Sequence, residues 1–251
     1  MNKIVLITGA TSGIGLACAR KFAENGDKLI LTGRNEQVLT EIRNELTSNG
    51  TDVLTLAFDV RDREKAKQLL AGLPRKWQEI DVLVNNAGLA LGLEPEYKGS
   101  LDDWETMIDT NIKGLLTMTR LVVPGMVERN RGHIINIGSV AGDAPYAGGN
   151  VYCATKAAVK ALTDGLRIDI ADTALRVTNL KPGLVETNFS NTRFYGDRER
   201  AANVYKGVKP LIGDDIADVA VYAANAPEHV QIAEVLILAT HQASANLIVR
   251  K

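Results

Sequence analysis

The chain has little of what several protein classes require. It holds two cysteines in 251 residues, Cys18 and Cys153, without CxxC spacing, and its three histidines, His133, His229 and His241, stand at intervals that match no ligand set. Reduced thiols and no metal site are the expectation. Charge of one sign is also missing: 29 Lys+Arg face 30 Asp+Glu, for a net charge of −1, and no basic run stands out. Neither nucleic acid nor an anionic membrane surface is therefore an expected partner. No window approaches the ~18 apolar residues of a membrane span, and the apolar stretch near Met1 is shorter than a signal-peptide core. A cytoplasmic protein is expected.

What is present is a core-forming composition with a regular rhythm. Apolar residues make up 45% of the chain, and a chain of this length buries roughly 70–75% of its unfolded surface, so neither disulfides nor a structural metal are needed. Short runs rich in Val, Ile and Leu at 3–7, 28–32, 53–57, 82–85, 133–138, 176–181 and 235–238 read as parallel strands buried on both faces. Between them, 14–25, 35–49, 63–73, 101–129, 151–171 and 214–226 carry helical periodicity. Strands alternating with helices predict a doubly wound α/β fold with a seven-stranded parallel sheet, one domain over 1–251. The stretch 184–213 breaks the rhythm, with weak periodicity and many polar residues. Long irregular segments in compact domains are usually functional, so a substrate lid is expected there.

The first strand runs into Thr8-Gly9-Ala10-Thr11-Ser12-Gly13-Ile14-Gly15 and then a helical run. Glycines at 9, 13 and 15 would let the chain turn tightly and keep side chains away from a pyrophosphate at the positive end of the helix. Thr11, Ser12 and Ile14 belong to the same turn. At the end of the second strand, Leu31-Thr32-Gly33-Arg34-Asn35 has no carboxylate for the ribose hydroxyls, while Arg34 offers a planar fork of donors for a 2′-phosphate. The expected cofactor is NADP(H), with Arg34 and Asn35 at its adenosine end. Asp59 and Val60 follow the third strand and Asn86, Ala87 and Gly88 the fourth, where carboxyl ends of parallel strands line a cofactor crevice. Asp59 is equally readable as the cap of the next helix.

Tyr152 and Lys156 are four residues apart, on one face of a predicted helix. A tyrosine with pKa ≈ 10 is a poor base near neutrality, but a neighbouring ammonium and a positive nicotinamide both favour the phenolate; lowering it by about three units takes roughly 4 kcal/mol. Ser139, after the strand at 133–138, would present its hydroxyl to a substrate carbonyl. Each residue alone has an ordinary structural reading.

Taken together, 8–15, 85–88, Asn111, Ser139, Tyr152/Lys156 and Pro182-Gly183 resemble the short-chain dehydrogenase/reductase family over the length of the chain. The resemblance implies a Rossmann-like fold and a tetrad of Ser139, Tyr152, Lys156 and Asn111. In it Tyr152 is the general acid/base, Ser139 holds the reacting oxygen, and Lys156 binds the nicotinamide ribose. Asn111, in an otherwise apolar helix, orders a water leading from Lys156; its alternative is an asparagine satisfied within its own helix. Pro182, Gly183, Val185 and Thr187 resemble the segment bordering the nicotinamide amide. The stretches 85–111 and 145–152, and 189–194 in the expected lid, resemble the NADP-dependent 3-hydroxy acid dehydrogenase group, which acts on serine, L-allo-threonine and 3-hydroxypropionate or malonic semialdehyde. The segment 183–188 is shorter than that group's pattern. A 3-hydroxy acid brings a carboxylate, and Arg193 is the candidate cation for it. The substrate site is thus expected at Ser139, Tyr152 and Arg193. The family also implies a homotetramer packed through the helices at 101–129 and 151–171. A carbonyl or 3-oxoacyl reductase of the same family, and a non-catalytic NADP sensor, are the competing readings.

Overall fold

Alternate residues of a strand face opposite sides of a sheet, so a run that is apolar at every position must be covered on both. The first strand does this: Val5 and Ile7 join one hydrophobic cluster, Ile4 and Leu6 the other. In the computed structural model, which describes residues 2–251, seven such segments form one parallel sheet. They are β1 (Ile4–Ile7), β2 (Lys28–Gly33), β3 (Val53–Ala57), β4 (Val82–Asn85), β5 (His133–Ile137), β6 (Arg176–Pro182) and β7 (Glu234–Ile237), in the order β3-β2-β1-β4-β5-β6-β7. Of the domain read over 1–251, only residue 1 lies outside the described residues. The sheet is Rossmann-like, and its strand order reverses between β1 and β4, where doubly wound sheets form a crevice at their carboxyl ends.

The helices divide between the two faces. α1 (Gly13–Glu24), α2 (Glu36–Ser48) and α9 (Gly213–Asn225) cover one, through Cys18, Phe22, Leu39, Ile42 and Ile216. α3 (Arg63–Ala71), α5 (Leu115–Glu128) and α6 (Asn150–Asp169) cover the other, where Ala66, Met118, Val122 and Met126 meet the strands. Each large aliphatic side chain fully buried this way stabilises the fold by about 1.5–3 kcal/mol. Helix starts follow capping chemistry: Asn35 accepts from the Val38 N–H, Asp62 from Lys65, and Ser100 from Asp103 at the head of α4 (Leu101–Ile108).

Three expectations need correction. The helix predicted over 101–129 is continuous but not uniform: α4 passes through a π-helical turn, Asp109–Gly114, into α5. β3 and β7 are sheet edges and are only partly buried; in β7 Glu234 and Leu236 alternate outward. The segment 184–213 is not structureless. It holds two short helices, α7 (Phe189–Arg193) and α8 (Arg198–Asn203), and its ends are pinned to each other where Leu211 N–H donates to the Leu184 carbonyl and Glu186 N–H to that of Leu211. Among the described residues no helix is long and apolar enough to cross a membrane.

Candidate active site

A cavity of about 690 Å³ opens at the carboxyl ends of the strands, at the reversal of strand order. Its floor is the turn between β1 and α1. Gly9 and Gly13 adopt left-handed backbone (φ +67° and +56°), which disfavours any side chain there. A Cβ on Gly13 would also lie 3.2 Å from that of Thr187, filling the gap between this turn and the 184–213 flap. Gly9, Thr11, Ser12, Gly13 and Ile14 line the cavity, a cradle shaped for a phosphate. Gly15 does not, against expectation. A Cβ there would sit 2.3 Å from the Gly9 carbonyl oxygen and 2.4 Å from Asn86 Nδ2, so its role is close packing of α1 against the turn.

Thr8, which sequence reasoning passed over as a site residue, ties this turn to the segment after β4. Its Oγ1 accepts from the N–H groups of Asn86 and Ala87, both at 3.0 Å, while Asn86 Nδ2 donates to the carbonyls of Thr8 and Gly9. Asn86, Ala87 and Gly88 line the cavity as expected, although the Asn86 amide group is spent on the turn. Arg34 reaches the cavity rim beside Thr11; it is exposed and makes no side-chain hydrogen bond among the described residues. Asn35 lies outside the cavity, in a shallow groove with Thr11 and Arg34, and its side chain caps α2. Asp59 and Val60 line the wall. Since Asp62 caps α3, Asp59 does not; it accepts Nε and Nη2 of Arg61 at 3.1 and 2.8 Å. Burial pushes the Asp59 carboxyl up, but its bonds from Arg61 outweigh that and hold it below the usual carboxylate range.

At the other end, Ser139, Tyr152 and Lys156 share the cavity with Pro182, Gly183, Val185, Thr187 and Arg193. Ser139 Oγ accepts from the Ala141 N–H at 3.1 Å and donates to the Pro182 carbonyl at 3.5 Å. Lys156 is buried, its Nζ 2.8 Å from the Ile137 carbonyl oxygen and 5.9 Å from the Tyr152 ring centroid. Burial brings its ammonium down from 10.5 to about 8. In the protein without cofactor, burial, reinforced by Tyr146, raises the Tyr152 phenol above its ordinary value, and the pull of Ser139 and Arg193 in the opposite direction is smaller.

Asn111 lies in the π-helical turn and does not line the cavity. Nor is it satisfied within its own helix. Its Oδ1 accepts from the Leu89 N–H at 2.9 Å, and its Nδ2 donates to the Leu89 carbonyl at 2.8 Å and to Thr155 Oγ1 at 3.0 Å. It therefore clasps the segment after β4 to α6. A Cβ on Gly88 would sit 3.2 Å from Asn111 Oδ1 and 3.6 Å from Lys156 Nζ, so the glycine lets these two groups approach.

Arg193, at the end of α7, stands over this end of the cavity, 5.9 Å from the Tyr152 ring centroid. Its Nε donates to the Gly92 carbonyl at 3.0 Å and its Nη1 to the Tyr146 hydroxyl at 2.8 Å. Tyr146 lies in the 145–152 stretch but is a second residue not named there as a site residue, because its partner lies 47 positions away on another element. Phe189 closes the wall, its ring edge-on to Tyr152 at 5.6 Å. Both cysteines are buried and unpaired, and among the described residues no group of three potential metal ligands occurs.

Comparison with known proteins adds the following. The short chain dehydrogenase family model matches residues 3–197. The chain is 54% identical over 249 residues, 99% of either chain, to the NADP-dependent 3-hydroxy acid dehydrogenase YdfG of Salmonella typhi, and 50% identical over 249 residues, again 99% of either chain, to its namesake from Escherichia coli K12. Among solved structures, the closed form of a serine dehydrogenase complexed with NADP+ superposes with a TM-score of 0.94 at 50% identity, covering 99% of either chain.

Proposed function

Because the chain belongs to the short-chain dehydrogenase family, we propose that it is an NADP-dependent oxidoreductase acting on CH–OH groups, specifically those of small 3-hydroxy acids and the corresponding 3-oxo acids or semialdehydes. The observation that carries this substrate class is Arg193. A guanidinium stands beside the Tyr152 ring, anchored through Gly92 and Tyr146. A small acid with its hydroxyl two carbons from the carboxylate carbon suits a proton acceptor and a cation set this close together. Relatives bearing the name 3-hydroxy acid dehydrogenase support the same reading.

In this reading the 9–14 turn would hold the cofactor's pyrophosphate, Arg34 its 2′-phosphate, Asp59 and Val60 the adenine, and residues 182–187 the nicotinamide, all of them around one cavity. The exposed guanidinium of Arg34 and the lack of a carboxylate at the end of β2 favour NADP(H) over NAD(H). Bound NADP+ supplies the hydride acceptor and a positive charge that favours the phenolate. Ser139 holds the reacting oxygen by a hydrogen bond. Tyr152 takes the hydroxyl proton on oxidation as the carbinol carbon loses its hydride, and returns a proton to the carbonyl oxygen on reduction. Lys156 binds the ribose, and Asn111 fixes the 89 segment against α6 on the side facing Lys156. The flap at 184–213, pinned at its base, serves as the substrate lid.

The test is NADPH formation from NADP+ with L-serine, L-allo-threonine and 3-hydroxypropionate, beside Tyr152→Phe. Turnover of these acids that disappears in the variant is expected. Silence on all three acids, with turnover of hydrophobic ketones or 3-oxoacyl thioesters instead, would replace the substrate class by that of a carbonyl or 3-oxoacyl reductase. We also infer a cytoplasmic homotetramer: Leu101, Ile108, Leu116 and Ile168 expose apolar surface on α4, α5 and α6, where a second copy would cover it.

A further inference from the structure

Arginine has five N–H donors in a rigid fork, and how many remain for a ligand depends on what the others already hold. In Arg193 the Nε is committed to the Gly92 carbonyl and one Nη1 hydrogen to the Tyr146 hydroxyl. These two bonds differ in kind. The Gly92 contact is one of a pair, since Gly92 N–H also donates to the Arg193 carbonyl at 3.0 Å, so it sets where the end of α7 docks. The Tyr146 contact fixes the far end of the side chain.

Tyr146 is itself held firmly. Its ring lies against Gly149, where a Cβ would come within 2.0 Å of the ring edge, and the Gly149 N–H donates to the Tyr146 carbonyl at 3.0 Å. One residue earlier, Gly148 takes left-handed backbone (φ +73°) and a Cβ there would lie 2.2 Å from the Leu93 carbonyl oxygen. The 146–149 turn is thus wedged between the segment after β4 and the first turn of α6, the helix that carries Tyr152. Arg193 comes from the flap and Tyr152 from the body of the fold. Tyr146 is the side chain that joins them, with the guanidinium 5.3 Å from its ring centroid.

We propose that Tyr146 is a positioning residue that registers Arg193 against Tyr152, so that preference for substrates with a carboxylate near the reacting oxygen depends on the Tyr146 hydroxyl. This rests on the reading of Arg193 as the carboxylate-binding cation. Without the hydroxyl the guanidinium keeps its Gly92 anchor but loses its fixed rotation, and a carboxylate must order it on binding. A neutral substrate makes no use of the guanidinium and feels no such loss.

The experiment compares Tyr146→Phe, Arg193→Ala and the double variant with the wild type. Each is assayed with NADP+ on 3-hydroxypropionate and on the neutral 1,3-propanediol, with NADPH affinity measured alongside. Tyr146→Phe keeps the ring on Gly149, and unchanged NADPH affinity reports an intact fold. The expected result is an approximately tenfold rise in KM for the acid with kcat nearly unchanged, so that preference for acid over diol falls about tenfold. Arg193→Ala raises the acid KM further, and the double variant is no worse than Arg193→Ala alone. An acid KM unmoved by Tyr146→Phe but raised by Arg193→Ala overturns the role of Tyr146 and leaves the Arg193 reading standing. An acid KM unmoved by Arg193→Ala overturns both. Equal loss of kcat on acid and diol in Tyr146→Phe also overturns the proposal, because the hydroxyl would then act on Tyr152 directly. Loss of NADPH binding in Tyr146→Phe, or additive losses in the double variant, assigns Tyr146 a role independent of Arg193 and refutes it too.

Discussion

Replacing Lys156 by methionine should make the protein more stable at neutral pH while abolishing turnover. The ammonium is buried and held at about 8 instead of 10.5, which while it is charged costs the folded state roughly 3 kcal/mol. Methionine has similar length and no charge to desolvate. Against this stands the hydrogen bond from Nζ to the Ile137 carbonyl, which for a charged donor contributes about 1.5–3 kcal/mol. The difference leaves a net gain of about 1 kcal/mol at pH 7. The sign with pH is fixed by linkage. The folded pKa lies below the unfolded one, so between about 8 and 10.5 the unfolded chain binds more protons and the wild type gains stability as pH rises. The advantage of Lys156→Met should therefore shrink above pH 8 and become a deficit near pH 10. Urea unfolding of both proteins, cofactor-free and at equal protomer concentration, at pH 7, 8.5 and 10, is the assay. A stability difference that does not change across this range would refute the claim that burial depresses Lys156.

Two further substitutions test the opposite end of the cavity. Arg34→Ala should raise the KM for NADPH by roughly 10- to 100-fold, the value of one or two charge-assisted hydrogen bonds to phosphate, and leave that for NADH unchanged; equal effects on both cofactors would remove Arg34 from the 2′-phosphate. Gly15→Ala should cost about 1–3 kcal/mol by forcing α1 away from Gly9 and Asn86, seen as a lower thermal midpoint, and a midpoint within a degree of wild type would show that the helix can shift freely.

Much of this architecture is visible in the chain before folding, for a physical reason. A central strand covered on both faces is apolar at nearly every position, so β1 at Ile4–Ile7 and β4 at Val82–Asn85 stand out as short Val, Ile and Leu runs. The spacing of Tyr152 and Lys156 likewise survives, because four residues on a helix leave little freedom. What escapes is whatever depends on distant partners or on burial. α7 and α8 have five and six residues, too short for a helical period to register. Gly15 is indistinguishable from a phosphate-facing glycine until Gly9 and Asn86 come to rest against it. Spacing reveals that an ammonium lies near Tyr152, but not that both groups leave water, a loss that raises the phenol and lowers the ammonium in the cofactor-free protein. Tyr146 belongs to the 145–152 stretch that carries the resemblance, but nothing there marks its hydroxyl for a role until the flap brings Arg193 to it.

The π-helical turn at Asp109–Gly114 has a consequence for phase. A regular helix from Leu101 to Glu128 would show a single apolar stripe, yet its two halves serve different cores: Met107 packs with Leu89 and Ala90 beside Tyr152, whereas Met118, Val122 and Met126 pack under the sheet. The extra residue in the turn lets one continuous rod present two stripes at an angle of about 100°, one residue's worth of rotation. It follows that this stretch, outside Asn111 and Gly114, where a Cβ would lie 2.8 Å from Val60, should tolerate substitutions far better than changes of length. Removing one residue between 109 and 114 would restore an unbroken helix and swing either the Met107 face or the Met118 face away from its core, with Asn111 carried off Leu89. The spacing of Asn111 from both neighbouring stripes is thus encoded as a count of residues rather than as their identity.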